Sequence, residues 1–310
     1  MDNCSVGPES LVRKFSGVFW RFNMEKLLNI DEMYTDHYIK KKTGKYRHIQ
    51  APSNELKREQ YKILKILKTY NFPIHESASG FCDGKSIITN AQCHINKECL
   101  LCIDLKDFFD TFTDNVIFNY LKNRKIKHAK YISKVLTRKG RLVQGAPSSP
   151  YITNLLFNRH DKKLNSIAKH NNLMYTRYAD DMTFSGKYED IKKCKKEIFN
   201  YIINNGFNIS WEKVELQFSN KRQKVTGIVV NEKPNIQYSI ANKIRAICHC
   251  IKRDVSNGTI TNISEIENLY GETYEGLFGY VNFMSTVNPK FNKYRKELKD
   301  AYDILKTRRD

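Results

Sequence analysis

Two rhythms of apolar residues run through this chain. Recurrence every three to four positions marks a helix with one face inward, and an apolar run of four to eight positions marks a strand. Leu56, Ile63, Leu64 and Leu67 fall on one helical face behind Ser53, whose hydroxyl suits a helix start, and Pro73 stops the run. Leu100-Leu-Cys-Ile103 is a buried strand that ends on Asp104. The segment 115–138 reads as helix, with Val116, Ile117, Tyr120 and Leu121 inward and Lys122, Arg124, Lys125 and Lys127 outward; Asp110 and Asp114 read as its caps. A Gly/Pro/Ser loop over 140–150 opens a helix carrying Ile152, Leu155, Leu156, Leu164, Ile167 and Ala168. Ile191, Cys194, Ile198 and Ile202 mark another, closed by Asn205-Gly206. Strands are expected at 207–211 and around 224–231. From Ile240 the β pattern ceases: Ile240, Ile244, Ile247, Cys248 and Ile251 form one stripe, and two further helical stretches follow. At the other end, residues 1–35 read as partly helical, through Leu11, Val12, Phe15, Val18 and Phe19, then Leu27, Leu28 and Ile30.

Between these elements lies the stretch that carries chemistry. Tyr175-Thr-Arg-Tyr178-Ala-Asp180-Asp181-Met-Thr-Phe184 places β-forming residues on both sides of two adjacent aspartates, the pattern of a tight hairpin with carboxylates at its tip. Adjacent carboxylates repel, and a hard divalent cation is the usual remedy, because it takes carboxylate oxygens together with substrate phosphates. Asp104, a charge at the end of a buried strand, needs a partner or a metal for the same reason. Lys40 to Pro52 reads as two short strands around Thr43-Gly44, loaded with cations suited to a phosphate backbone or a triphosphate.

Charge extends the picture. The 310 residues carry a formal net charge of +20, which points to a polyanionic partner, and 40% hydrophobic content is that of a globular chain. There is no apolar run long enough to span a bilayer, and no signal peptide at the start, so no membrane partner and a cytoplasmic setting are expected. The eight cysteines then read as reduced thiols; Cys99 and Cys102 would point to opposite faces of one strand, which disfavours a zinc site.

The ordered set Arg47, Asp104-x-x-x-x-Phe109, Gln144-Gly145-x-Pro-x-Ser-Pro, Tyr178-Ala-Asp-Asp, Lys213 and Val225-Thr-Gly227 resembles a reverse transcriptase, and Asn90-Ala-x-x-His94 with Val225-Thr226-Gly227 resembles short motifs of the bacterial retron type. The likeness runs from about residue 40 to 240. It implies an α+β right-hand polymerase: an N-terminal helical extension over 1–39, fingers and a palm with a small antiparallel sheet over 40–240, and a basic helical thumb over 241–310. It implies that Asp104, Asp180 and Asp181 bind two Mg²⁺ ions, with Mn²⁺ as a substitute, and that Lys213 protonates the pyrophosphate. Arg47 and Lys42 would neutralise the triphosphate, Gln144 and Gly145 would line the nucleotide pocket, and Phe109 would crowd a ribose 2′-OH. Asn90, His94, Val225, Thr226 and Gly227 are expected at RNA, and the backbone of the 80–86 loop along the template. Lys243, Arg245, Lys252 and Arg253 are expected on the phosphates of a duplex. The implied activity is RNA-directed DNA synthesis from dNTPs on a dedicated structured noncoding RNA, giving a branched RNA–DNA hybrid, in antiphage defence beside an effector or toxin protein. Template removal would fall to a separate host RNase H. Alternatives are a group II intron-like or other defence reverse transcriptase, an RNA-dependent RNA polymerase, and an inactive RNA-binding scaffold.

Overall fold

The computed structural model describes residues 24–40 and 44–307. The helical pattern expected over 1–23 and the candidate Lys42 lie outside the described residues. Two compact units divide the chain: Met1–Ser86, Leu101–Phe184 and Tyr188–Glu215 form the first, and Ile87–Leu100, Ser185–Lys187 and Leu216–Asp310 the second.

In the first unit, a 3-10 helix (Met24–Met33) leads into β1 (Tyr34–Lys40), which pairs antiparallel with β2 (Tyr46–Pro52) from Tyr34–Pro52 to Lys40–Tyr46. Helix α1 (Asn54–Thr69) starts where expected: the Ser53 hydroxyl accepts the Leu56 amide, and Leu56, Ile63 and Leu67 are buried on one face. Strand β3 (Cys99–Lys106) shows the period-two burial of a central strand, with Leu101, Ile103 and Leu105 inward. It lies inside a sheet ordered β4 (Met174–Tyr178), β5 (Asp181–Gly186), β3, β6 (Asn208–Ile209), and β7 (Glu215–Phe218) also pairs with β3. Strands β3 and β6 are antiparallel, in register Leu105–Ile209.

The expected helix over 115–138 is two helices, α3 (Asp114–Asn123) and α4 (Ala129–Val135). The reason is local. Lys125 adopts a left-handed backbone (φ 56), its amide donates to Lys122 and the next amide, Ile126, donates back to Leu121, which closes the helix in a Schellman turn. Burial of Ile126 fixes that exit. The cap is Thr113, whose hydroxyl accepts the Val116 amide, rather than Asp110 or Asp114; Asp114 sits in the first turn and pairs with Lys134.

Helix α5 (Ser149–His170) is buried along most of its length, and α6 (Tyr188–Asn204) buries Ile191, Cys194, Ile198 and Ile202 as its spacing predicts. Phe108 after β3, Phe112, Phe157 of α5 and Phe207 close a ring of aromatic contacts, with centroids 4.9–5.9 Å apart and mostly edge to face. This cluster fixes the end of β3 that carries Asp104 against α5 and the start of β6.

The second unit begins with α2 (Ile87–Gln92) and the small ladder of β8 (Lys224–Val225) and β9 (Ile228–Val229). It continues as α7 (Tyr238–Ser256), α8 (Ser264–Tyr270), α9 (Tyr274–Val287) and α10 (Asn292–Thr307). Ile244, Ile247, Cys248 and Ile251 are the buried stripe of α7, which packs on α10 through its Leu298, Ala301 and Leu305 face; Ile240, assigned to that stripe, lies at the surface. Three helices follow α7 rather than two, since Gly271 at φ 67 separates α8 from α9. Among the described residues no helix is long and apolar enough to cross a membrane.

Phe184 of β5 is fully buried and stacks on Tyr175 at 4.6 Å. Phe184→Ala should lower stability by about 3–5 kcal/mol, read as a lower urea midpoint at unchanged slope.

Candidate active site

The hairpin forms as its residues dictate. Strands β4 and β5 are joined through Ala179 and Asp180, with Ala179 in the left-handed region at φ 58. That conformation turns the chain within two residues, as a hairpin with right-handed strand twist requires. The Asp180 carbonyl accepts the Leu105 amide at 3.0 Å, so the tip is stitched to β3 one residue beyond Asp104. The result is a meeting of charges far apart in sequence: the Asp104 carboxyl lies within hydrogen-bonding reach of Asp181, and its charge raises both Asp181 and Asp180 by repulsion.

Electrostatics follow from this crowding. Burial, then the neighbouring Asp180 and Asp104 carboxylates, push the Asp181 carboxyl up to about 7. Asp180 is raised too, first by burial, with Asp104 adding to it and Lys213 and Arg47 opposing. Lys213 follows Ser210, whose amide donates to the Asp104 carbonyl, and its ammonium folds back to donate to both Asp104 carboxylate oxygens at 2.7 and 2.8 Å. Burial pulls the Lys213 ammonium down, but the Asp104 hydrogen bond and the surrounding carboxylates outweigh it, and its pKa rises. Among the described residues no His, Cys, Asp or Glu side chains stand in a formed metal-ligand group. The donor set nonetheless suits a hard divalent cation: clustered carboxylate oxygens, raised by mutual repulsion, with Lys213 as the cation in contact.

A family model described as reverse transcriptase (RNA-dependent DNA polymerase) matches residues 39–230, a span that contains all of these carboxylates. The Retron Ec86 reverse transcriptase of Escherichia coli is 33% identical over 273 residues, 85% of this chain and 79% of that protein. The chain belongs to the retron reverse transcriptases. The Retron Ec83 reverse transcriptase of Escherichia coli is 29% identical over 262 residues, 78% of this chain and 82% of that protein. Among solved structures, a telomerase from Candida albicans in complex with a fragment of telomeric RNA aligns at a TM-score of 0.48 and 12% identity, over 89% of this chain and 60% of that one. This retron enzyme is therefore an RNA-dependent DNA polymerase that takes an RNA template and dNTPs, and its family uses a divalent metal.

The other sequence-assigned residues fall into two groups. Arg47 of β2 is exposed and near enough for its charge to oppose the rise at Asp180. Gln144 and Gly145 lie against the same strand: the Gln50 amide donates to the Gln144 carbonyl at 2.8 Å. Gly145 has φ +127, and a Cβ there would stand 2.5 Å from the Gln50 carbonyl oxygen, so only glycine permits this approach. Phe109 is half-buried beside Phe108.

Asn90, His94, Val225, Thr226 and Gly227 lie in the second unit. Asn90, His94 and Val225 are buried at 1%, 0% and 2% exposure. His94 Nδ1 meets the Ser185 hydroxyl at 2.6 Å, burial holds its imidazole down at about 3, and the Thr226 hydroxyl donates to the Ile87 carbonyl at the start of α2. Asn90, His94 and Val225, expected at RNA, present almost no surface here and pack α2 and its following turn within the unit, while Thr226 and Gly227 keep accessible surface. Lys243, Arg245, Lys252 and Arg253 are exposed on α7; Lys243, Lys252 and Arg253 face Glu272, Glu297 and Asp254 at 3.3, 4.0 and 2.7 Å. The cationic partner is solvent-exposed in each pair, so these pairs are weak.

Sequence reading missed Gly80 as a contact of the hairpin. A Cβ at Gly80 would lie 2.5 Å from the Ala179 nitrogen, so Gly80, at the head of the 80–86 loop, lies directly on the Tyr178–Ala179 backbone of the hairpin. The glycine was the signal, since a backbone that must touch another backbone has no room for a side chain. It also missed Arg177, whose guanidinium is fully buried and donates to the Ala179 carbonyl at 2.9 Å.

Two outcomes are expected. Gly145→Ala should push the 144–145 loop off β2 and raise the dNTP KM about tenfold or more in steady-state primer extension. A carboxyl raised in the folded state favours folding while protonated, and that contribution is lost as pH climbs from the ordinary carboxylate range through about 7. In EDTA, Asp181→Asn should therefore melt above the parent protein at pH 8, with the gap closing at pH 5, as read by thermal melts across that range.

Proposed function

We propose that this reverse transcriptase copies a dedicated structured noncoding RNA into branched single-stranded DNA, and that it acts in antiphage defence beside an effector protein. Membership of the retron type supports the substrate and setting. The observation that carries the chemistry is the convergence of Asp104 with Asp180 and Asp181 beside one lysine ammonium. We read residues 40–240 as fingers and palm and 241–310 as a basic thumb that grips a duplex through Lys243, Arg245, Lys252 and Arg253.

In this reading Asp104, Asp180 and Asp181 would hold a pair of Mg²⁺ ions, with Mn²⁺ as a substitute. When bound, the metal supplies charge neutralisation to the triphosphate and eases ionisation of the attacking hydroxyl. The protein's own groups do the rest. Arg47 draws the triphosphate to the carboxylate end of the sheet. The paired backbones of Gln50 and Gln144, with Gly145 beside them, form a flat wall for the nascent base pair. Phe109 stands against the ribose 2′ position. Lys213, held in its charged form, has a proton to give to the departing pyrophosphate. Phosphoryl transfer needs alignment and charge compensation more than a nucleophilic side chain, so this set is sufficient. Removal of the copied RNA is assigned to a separate host RNase H.

The decisive experiment sequences the nucleic acid that copurifies with the protein and assays primer extension in parallel. A single structured RNA linked to DNA through a branch supports the proposal; heterogeneous cellular RNA with no attached DNA defeats it. Asp180→Asn should abolish extension while leaving RNA retention within about twofold. Phe109→Ala should raise ribonucleotide incorporation about tenfold or more over the parent, measured as the ratio of kcat/KM for the two sugars.

A further inference from the structure

Beneath the carboxylate tip lies a polar network that the chemistry above does not use. Arg177 of β4 is fully buried, and so is Asp161 of α5. Their pairing is bidentate: Arg177 Nε donates to Asp161 Oδ1 at 2.9 Å and Nη2 donates to Oδ2 at 2.7 Å. The Tyr175 hydroxyl donates to the same carboxylate at 2.8 Å, and the guanidinium lies over the Phe157 ring at 4.6 Å. A pair this deep is a poor source of stability, because desolvation offsets most of its attraction. What it provides is a rigid fork with donors left over.

Those donors are spent on the hairpin. Arg177 Nη1 donates to the Ala179 carbonyl at 2.9 Å, and Nη2 also donates to Asn154 Oδ1 at 3.0 Å. The Asn154 amide in turn donates to the Gly80 carbonyl at 2.8 Å, and Gly80 is the residue pressed on the Ala179 nitrogen. Ala179 is held in a left-handed conformation that an alanine adopts at a cost, and the peptide it shares with Asp180 carries the carboxylate. Arg177 grips that peptide from below, and the Leu105 amide grips the next one, at the Asp180 carbonyl. The backbone at Arg177 completes the arrangement: its amide donates to the Ser77 carbonyl at 2.8 Å and its carbonyl accepts the Ser79 amide at 2.7 Å.

We propose that Arg177, seated on Asp161 and Asn154, is a positioning residue for polymerisation: it sets the Ala179–Asp180 peptide, and with it the Asp180 carboxylate, and couples that peptide to the Gly80 loop. The proposal rests on the reading of Asp180 as a catalytic carboxylate. Lysine at 177 keeps a charge for Asp161 but has no planar fork with which to reach Asp161, Asn154 and the Ala179 carbonyl together. Displacement of a reacting group by about 1 Å costs on the order of a hundredfold in rate.

The test compares Arg177→Lys, Asn154→Ala, Asp180→Asn and the parent, each as full-length protein. Six quantities are read: melting temperature, affinity for a primer–template, kcat, KM for dNTP, the Mg²⁺ concentration for half-maximal rate, and hydrogen exchange of the 178–182 amides. Arg177→Lys should fold and bind primer–template within about twofold, with kcat down about tenfold to a hundredfold, dNTP KM little changed, the Mg²⁺ requirement raised severalfold, and faster exchange at 178–182. Asn154→Ala should show the same pattern more weakly, and it serves if Arg177→Lys does not fold. The proposal is overturned if the folded variants keep the parent's kcat, Mg²⁺ requirement and exchange, or if activity falls only in step with the folded fraction. An active Asp180→Asn would sink the underlying reading instead, so the two failures are distinguishable.

Discussion

Like charges held close together in a poorly hydrated place are the constraint on which this molecule is built. Asp104 comes from β3, and Asp180 and Asp181 from the tip of a hairpin far along the chain, and their repulsion works against the fold that gathers them. Everything around them resists that repulsion. The sheet order puts β5 beside β3, the Leu105 amide ties the tip to the neighbouring strand, the phenylalanine ring fixes the end of β3, and Lys213 folds back over Asp104. A structure that tolerates this cost has stored an affinity for cations. The same logic explains why the surrounding elements are so completely packed, with α5 buried along most of its length.

The parts legible from sequence were those set by local chemistry. Ser53 caps α1, Ile191 to Ile202 form the inner face of α6, and the aspartate pair sits at the turn of a two-stranded hairpin, all as their spacing indicates. Asp104 was legible as well, because a charge at the end of an unbroken apolar strand demands a partner. What stayed hidden was set by contacts between distant backbones. The split of 115–138 into two helices depends on a left-handed Lys125 and on burial of Ile126, neither of which helical periodicity registers. The burial of Asn90, His94 and Val225 inside the second unit likewise has no local signature in the sequence.

Glycines mark the difference between these two kinds of information. Gly80 and Gly145 are both single letters in loops, and each permits one backbone to lie on another within a distance that no Cβ allows. One approach is against the carboxylate hairpin and the other against β2, so the two sides of the site are defined by where side chains are missing. Sequence displays the absence of a side chain readily; it does not display what fills the space.

The β1–β2 ladder has a mechanical consequence. A pair of strands alone is marginal in water, and among the described residues this one is held near its Tyr34–Pro52 end: Arg138 grips Asp36 through both carboxylate oxygens at 2.6 and 3.0 Å and reaches Gln50 as well. The Tyr38–His48 stack lies one step beyond, and past it Ile39, Lys40 and Arg47 are exposed. Lys40 and Arg47 thus lie on the part of the ladder farthest from that anchor, so a polyanion meeting them leaves the Arg138 grip on Asp36 untouched.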